Sequence, residues 1–462
     1  MNTHTDFLAA LQGAVGADAV LRGESIPAAC QSDWSGTPPV RPLALVRPAS
    51  IDEACAVLRL CHAHHIPVVP QGGLTGLAGA AVPHAGGIAL SLQRMAAIEA
   101  VDPRSGTLQA QAGATLQSIQ QAAEQAGLRF GVDLGARGSC QIGGNVATNA
   151  GGNGVLQFGM MREQVLGLEV VLADGTVLPM LRPMLKNNTG YDLKHFFIGA
   201  EGTLGLITRV LLRLHPRPAA RTTLLAAFSA FEQALALLQR LQGAFPARVA
   251  AFELMWERFV TCALRWQGGA SPFAQTYPLL ALIDIEGDAD APLQEAVQEQ
   301  LALALEAQEV ADAVLAQSQA QARQLWRMRE APAEFPTQLH PPINFDVSLP
   351  LPEIGRFAAQ CQQRLDERWP GHATLYFGHV GDGNLHITTD GASVHHEEAA
   401  LEAEVYALVE AFGGSVSAEH GIGLHKKPYL RASRSPQEIA AMRAIKQALD
   451  PLHLMNPGKV FN

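Results

Sequence analysis

Charge is scarce in this sequence. Only 16% of its 462 residues are Asp, Glu, Lys or Arg, and the balance is acidic, with a formal net charge of −10 and a pI near 5.9. No basic stripe is visible, which excludes a nucleic-acid partner. Cysteine is sparse and scattered, at Cys30, Cys55, Cys61, Cys140, Cys262 and Cys361, with no Cys-x-x-Cys pair. That scatter predicts plain buried small hydrophobes in a reducing compartment. No apolar run is long enough to span a bilayer. The N-terminus carries Asp6 and Asp18 and lacks a basic start followed by an apolar core, so no signal peptide is expected and the location expected is cytoplasmic. Low-complexity tails are missing too, which argues against dominant disorder.

Apolar residues, by contrast, are plentiful at 48%. A chain of this length divides into two or three domains. Residues 1–40 read as helix, then loop around Ser35-Gly36-Thr37-Pro38-Pro39. Leu43–Val46 reads as a strand, Ile51–His64 as a helix capped by Ser50, and Ile66–Pro70 as a strand ending in a glycine cluster. Beyond Pro216 the texture becomes Ala-, Gln-, Glu- and Leu-rich. Helical periodicity runs through Ser229–Gln242 and Ala291–Ala307, with a strand at Leu279–Glu286 between them. A last helix is expected at Pro436–Leu449. The prolines of His215-Pro216-Arg217-Pro218 mark a boundary. The domains expected are 1–215, 216–420 and a returning segment 421–462, in the α+β class.

Glycine is concentrated where chemistry is expected. Pro70-Gln71-Gly72-Gly73-Leu74-Thr75-Gly76 follows a strand directly. Backbone N–H groups converge easily on an anion when no Cβ intervenes, which suits a pyrophosphate. The loop has neither the dinucleotide-fold nor the Walker spacing, so alone it is equally well a tight turn. A second run passes through Leu134-Gly135-Ala136-Arg137-Gly138-Ser139 and Ile142-Gly143-Gly144-Asn145-Val146-Ala147-Thr148-Asn149-Ala150-Gly151-Gly152, and a third is Glu201-Gly202-Thr203-Leu204-Gly205. Three such segments in one half point to a large planar cofactor lying against main chain.

These segments, with Gly378–His386 and Ser417–Gly421, resemble the vanillyl-alcohol-oxidase-type flavoproteins, and within them the D-lactate and D-2-hydroxyglutarate dehydrogenase group. The resemblance runs from about Leu43 to the C-terminus. It implies a two-lobed FAD-binding domain, an α+β cap domain that takes the substrate, and a C-terminal helical segment. It places Gly72, Gly73, Thr75, Gly76, Gly143, Asn145 and Thr148 against FAD. The cofactor wall is expected to include Pro70, Leu74, Leu134, Gly135, Ser139, Gly144, Asn149, Gly151, Glu201, Gly202, Gly205, Ile207 and Asn456 as well. Some relatives link the flavin through a histidine in the first glycine loop. Here Leu74-Thr75 stands there, so the FAD is expected to be non-covalent.

Tyr376–Thr388 reads as strand, glycine turn, strand. A hairpin would set His379 opposite His386, with Cβ atoms roughly 5 Å apart. Two imidazoles on one face can share a divalent metal, and Glu419 in Ser417-Ala418-Glu419-His420-Gly421 is the candidate third ligand. Such a set leaves coordination positions open for a substrate. Zinc is the first choice, with manganese or iron as alternatives. The blander possibility is that the histidines pair with neighbouring backbone. His420, next to Glu419, would then lie near whatever the metal holds. A free histidine titrates at about 6.5, which suits a base, and the resemblance assigns that role at this position.

The resemblance also implies that Arg329, in Trp326-Arg327-Met328-Arg329-Glu330, clamps a substrate carboxylate. By residues alone an exposed helix charge is the favoured reading, and Arg327 is the weaker carboxylate candidate. The 2-hydroxyglutarate enzymes carry a lysine where this chain has Asn344, an asparagine where it has Thr388, and a threonine where it has Ala333. These changes favour a D-lactate-like monocarboxylate, with D-2-hydroxyglutarate as the alternative. The expected acceptor of electrons is an electron-transfer flavoprotein, a quinone or a cytochrome, and a homodimer is allowed. Two rival classes are a metal-dependent hydrolase with structural glycine loops and a flavin protein without turnover.

Overall fold

Short strands and capped helices alternate from Ala44 onward. The computed structural model describes residues 3–461 other than 340, 392, 393, 395 and 396. The chain divides into two units. The first comprises 1–152, 158–217 and 419–462, and the second 153–157 and 218–418. The chain leaves the first unit after Arg217 and re-enters it at Glu419.

In the first unit, β1 (Val20–Leu21), β2 (Ala44–Val46), β3 (Val68–Gln71) and β4 (Ile88–Ser91) form a sheet of order β1-β2-β4-β3. β2, β4 and β3 run parallel. All of β2 and β4 is buried, as continuous apolar strands of a covered parallel sheet require. Ser50 caps the helix Ile51–His64 by accepting the Glu53 N–H at 3.2 Å. Ala54, Val57, Leu58 and Cys61 form the buried stripe of that helix. A second sheet contains β5 (Ile98–Asp102), β6 (Thr107–Gln111), β8 (Val165–Val171), β9 (Val177–Met180) and β10 (Leu206–Arg213). Its order is β5-β6-β10-β8-β9, and all its pairings are antiparallel. β7 (Leu128–Arg129) pairs with β11 (His215–Pro216).

The C-terminal segment is stitched into this unit. Ser435 and Glu438 form a reciprocal cap on the helix Pro436–Leu449. Beyond it the Leu454 carbonyl accepts the Val68 N–H at 2.8 Å, and Asn456 N–H reaches the Val68 carbonyl at 2.8 Å, so the tail extends the β3 edge. Buried Lys446 ties the helix to the Thr203 and Met455 carbonyls at 2.6 and 2.8 Å and to Asp450.

The second unit is one antiparallel sheet of seven strands: β12 (Ala220–Phe228), β13 (Val249–Trp256), β14 (Leu279–Gly287), β15 (Asp312–Leu315), β16 (Pro342–Ser348), β17 (Thr374–Gly378) and β18 (Asn384–Asp390). Their order is β15-β12-β14-β13-β17-β18-β16. Helices Phe231–Ala244 and Asp290–Glu306 bury regular apolar stripes. Among the described residues no helix is long and apolar enough to cross a membrane. All six cysteines are free.

Three expectations need correction. Ile142–Ala147, read only as bare glycine backbone, is a short helix, because the run's amides find acceptors within it and at Ala112 and Ala114. The segment before β2, read as helix then loop, contains strand β1. In the hairpin the cross-strand partner of His386 is Phe377. His379 lies one residue past the end of β17, heading the turn Val380–Asp382.

Candidate active site

In the first unit the three glycine segments converge on a cavity of about 400 Å³. The loop after β3 reaches it because Gly73 lies against the chain at Ser139: a Cβ there would sit 2.1 Å from the Ser139 carbonyl oxygen. Pro70, Gly72, Gly73, Leu74, Thr75, Gly76, Leu134, Gly135, Gly143, Gly144, Asn145, Thr148, Gly151, Glu201, Gly202, Gly205, Ile207 and Asn456 all line it. Three of these, Leu74, Glu201 and Asn456, hold positive φ without being glycine. Such backbone is sparsely populated and clusters at binding sites.

Ser139 and Asn149 are not part of the wall. Ser139 faces solvent and contributes its carbonyl to the packing against Gly73. Asn149 turns toward the short helix Met161–Gln164, where its Oδ1 accepts the Arg162 backbone N–H at 2.9 Å. Gln71 and Gln141 line the cavity although sequence reasoning passed over them. The Gln71 amide nitrogen donates to the Cys30 and Ala81 carbonyls at 3.0 Å each. That of Asn456 donates to Ala80 at 3.0 Å and Glu201 at 2.7 Å. Both amide oxygens are therefore fixed in place. Gln71 Oε1, Gln141 Oε1 and Asn456 Oδ1 are buried without a hydrogen-bond partner among the described residues.

Glu419 and His420 line the same cavity. Glu419 Oε1 accepts the Gly152 N–H at 2.6 Å. The backbone after them is pinned by Glu201, whose carboxylate accepts the N–H groups of Ile422 and Gly423 at 2.7 and 2.8 Å.

The histidines belong to the second unit. His379 and His386 lie with ring centroids 5.5 Å apart, and Phe377 lies 5.1 Å from His386. Each histidine is backed by a carboxylate at Nδ1. Glu253 Oε1 is 2.6 Å from that of His379, and Asp346 Oδ1 is 3.6 Å from that of His386. Asp346 is itself fully buried and accepts Asn384 Nδ2 at 2.7 Å. Arg329, at the end of helix Gln319–Arg329, is buried and donates its Nε–H to Glu253 Oε2 at 2.7 Å. Its Nη2 lies 3.4 Å from His379 Nε2. Arg327 is exposed. Burial alone would raise the Glu253 carboxyl, but His379 and Arg329 beside it hold it down at about 2. Asn344 and Thr388 are cross-strand partners, and Thr388 donates to Asn344 Oδ1 at 2.9 Å.

Residues 42–180 match the family described as FAD binding domain, and residues 217–460 match FAD linked oxidases, C-terminal domain. The chain belongs to the FAD-linked oxidase family. This FAD-linked oxidase is 41% identical over 437 residues to a D-2-hydroxyglutarate dehydrogenase of Xanthomonas citri pv. viticola, covering 93% of this chain and 91% of that one. It is 36% identical over 438 residues to that of Stutzerimonas stutzeri, covering 93% of each. Its fold is similar to p-cresol methylhydroxylase with substrate bound, at TM-score 0.77 and 16% identity, covering 100% of this chain and 97% of that one. An FAD-dependent oxidoreductase with the α+β architecture follows from these matches.

The residues fit the flavin. Glycine backbone cradles the cavity, and the three buried acceptors on its wall, two of them fixed, suit the N–H and hydroxyl donors that a flavin carries. The histidine pair also fits a metal. The Glu253 carboxylate at Nδ1 of His379 orients that ring so that Nε2 carries the lone pair, the arrangement typical of ligating histidines, and Asp346 stands 3.6 Å from Nδ1 of His386.

Proposed function

We propose that this FAD-linked oxidase converts a D-2-hydroxy acid to the 2-oxo acid, with His420 as base and a divalent metal held by His379, His386 and Glu419. The carrying observation is that Arg329 Nη2 lies 3.4 Å from His379 Nε2. A cation and a ligand nitrogen this close suit a molecule whose carboxylate and hydroxyl sit on adjacent carbons.

Arg329 binds the carboxylate through the guanidinium N–H groups that Glu253 leaves over. His379, His386 and Glu419 would hold the divalent metal, zinc first, which would supply a Lewis acid that favours loss of the hydroxyl proton. His420, on the wall of the flavin cavity, takes that proton. FAD, when bound, accepts the hydride from C2. The acid is thus oxidised by two electrons, and a flavoprotein, quinone or cytochrome removes them afterwards.

The preferred substrate is a monocarboxylate such as D-lactate or a longer apolar relative. Asn344 and Thr388 are neutral, with Thr388 donating to Asn344 Oδ1, so no cation stands there for a second carboxylate, and Ala333 offers no donor. A second carboxylate without a partner costs more than a loosely fitting methyl group. The names of the two relatives favour a second reading, D-2-hydroxyglutarate. Anaerobic flavin bleaching and kcat/KM with D-lactate, D-2-hydroxybutyrate and D-2-hydroxyglutarate separate the two. A monocarboxylate should win, and a clear preference for the dicarboxylate would establish the second reading instead. No bleaching by any D-2-hydroxy acid would remove both.

A further inference from the structure

β13 reads Val-Ala-Ala-Phe-Glu-Leu-Met-Trp, and one charged residue stands in its otherwise apolar run. That residue, Glu253, is 1% exposed. An isolated ionised carboxylate is very costly in such a place, and it is tolerated only when paired and hydrogen-bonded. Glu253 meets the requirement with two different partners, one per oxygen. Oε1 takes His379 Nδ1–H at 2.6 Å, and Oε2 takes Arg329 Nε–H at 2.7 Å.

We propose that Glu253 is a positioning residue that holds the carboxylate-binding Arg329 and the metal-binding His379 in fixed relation through one shared side chain. The proposal rests on the roles given to those two residues above.

Each bond has a separate consequence. With Nδ1–H donated to Glu253, the imidazole keeps its lone pair on Nε2, the nitrogen a metal needs. With Nε–H donated, the guanidinium cannot swing, and its Nη edge faces the Nε2 side of His379. Phe377 supports the arginine from below, with its ring centroid 4.9 Å from the guanidinium carbon. His386 has a carboxylate of its own, Asp346, 3.6 Å from its Nδ1. Glu253 is thus the group on which both halves of substrate recognition depend.

Glutamine at 253 offers one acceptor oxygen and one N–H₂, so it serves one partner and repels the other. The test uses FAD-loaded protein stripped of divalent metal. Cobalt binding is followed by the visible spectrum of the ion, and KM and kcat for D-lactate are measured after reloading. Glu253→Gln should weaken cobalt binding by about 10–100-fold, as loss of a carboxylate behind a ligating histidine does. It should also raise KM. Glu253→Asp keeps the charge and tolerates the core better, and should show the same paired loss at smaller size. Folded variants with unchanged cobalt affinity, or with a change in only one of the two properties, would overturn the tether. His386→Ala separates the premises: if cobalt binding survives there too, the metal reading fails. If it is lost there but intact in Glu253→Gln, only the tether fails.

Discussion

Glu201 accepts the backbone N–H of Gly423 at 2.8 Å, across 222 residues of sequence. With the Ile422 N–H on its other oxygen, one buried carboxylate fixes the turn that follows His420. Gly421 allows this closeness, since a Cβ there would sit 2.9 Å from the Glu201 carboxyl group.

Removing that carboxylate should loosen both the cavity wall and His420, the proposed base. Glu201→Ala leaves two backbone donors unpaired, a loss on the order of 2–4 kcal/mol. We expect a lower urea midpoint and less FAD per chain after purification. An unchanged midpoint with full FAD would show that water replaces the carboxylate at no cost.

FAD should leave the denatured chain. The first glycine loop offers Leu74 and Thr75 to the cavity, and burial raises the Cys140 thiol, so it stays protonated and a poor nucleophile. Acid precipitation should release all the yellow colour to the supernatant. Colour in the pellet would point to a covalent bond, with His420 the first residue to inspect.

His386 and His420 should fail in different ways. His386→Ala should lose most of its metal and its turnover while keeping FAD, because the flavin cavity is built wholly from the first unit. His420→Ala should keep both metal and FAD yet reduce its flavin about 10²–10⁴-fold more slowly. Metal analysis and stopped-flow absorbance distinguish the two. Loss of metal in His420→Ala would reassign that residue.

Stability should fall on the acid side because of His215. Burial, helped by Arg213 and Arg129, holds this imidazole down at about 4. Its Nε2 is 2.7 Å from Gln164 Oε1, and it packs on Phe158. An unfolded histidine titrates near 6.5. Between those values the unfolded state binds more protons, so the stabilisation present above pH 6.5 is lost as pH falls toward 4. His215→Asn should therefore show a smaller drop in urea midpoint between pH 7 and pH 5. Identical drops would exclude His215 as the cause.

Local signals carried much of this architecture. Helix Ile51–His64 and helix Pro436–Leu449 are legible to the residue, because Ser50 and Ser435 cap them and the apolar spacing is unbroken. The glycine segments mark the cavity because close main-chain approach leaves a trace in composition. The hairpin was legible as a hairpin but not in register: a turn that begins at His379 instead of after it moves Phe377 opposite His386. The helix at Ile142–Ala147 was hidden because glycine is a poor helix former, and nearby carbonyl acceptors overrode that weakness. Gln71 and Gln141 resemble any loop amide until their neighbours are known. Glu253 did leave a signal. A single glutamate inside Val249–Trp256 demands a buried partner, but nothing local says that the partners lie 76 and 126 residues onward.

The stitching of Val68 to Leu454 and Asn456 has a consequence for synthesis. The edge of β3 is made early, while residues 450–456 emerge only after the whole of 218–418. Throughout that interval a nascent chain presents an apolar strand with open N–H and C=O groups, a template for pairing with other chains. The fixed acceptor of Asn456 is also missing until then. The cavity wall that Asn456 completes is therefore unfinished during most of translation, and the order in which the ribosome delivers the segments makes this cavity one of the last parts of the first unit to form.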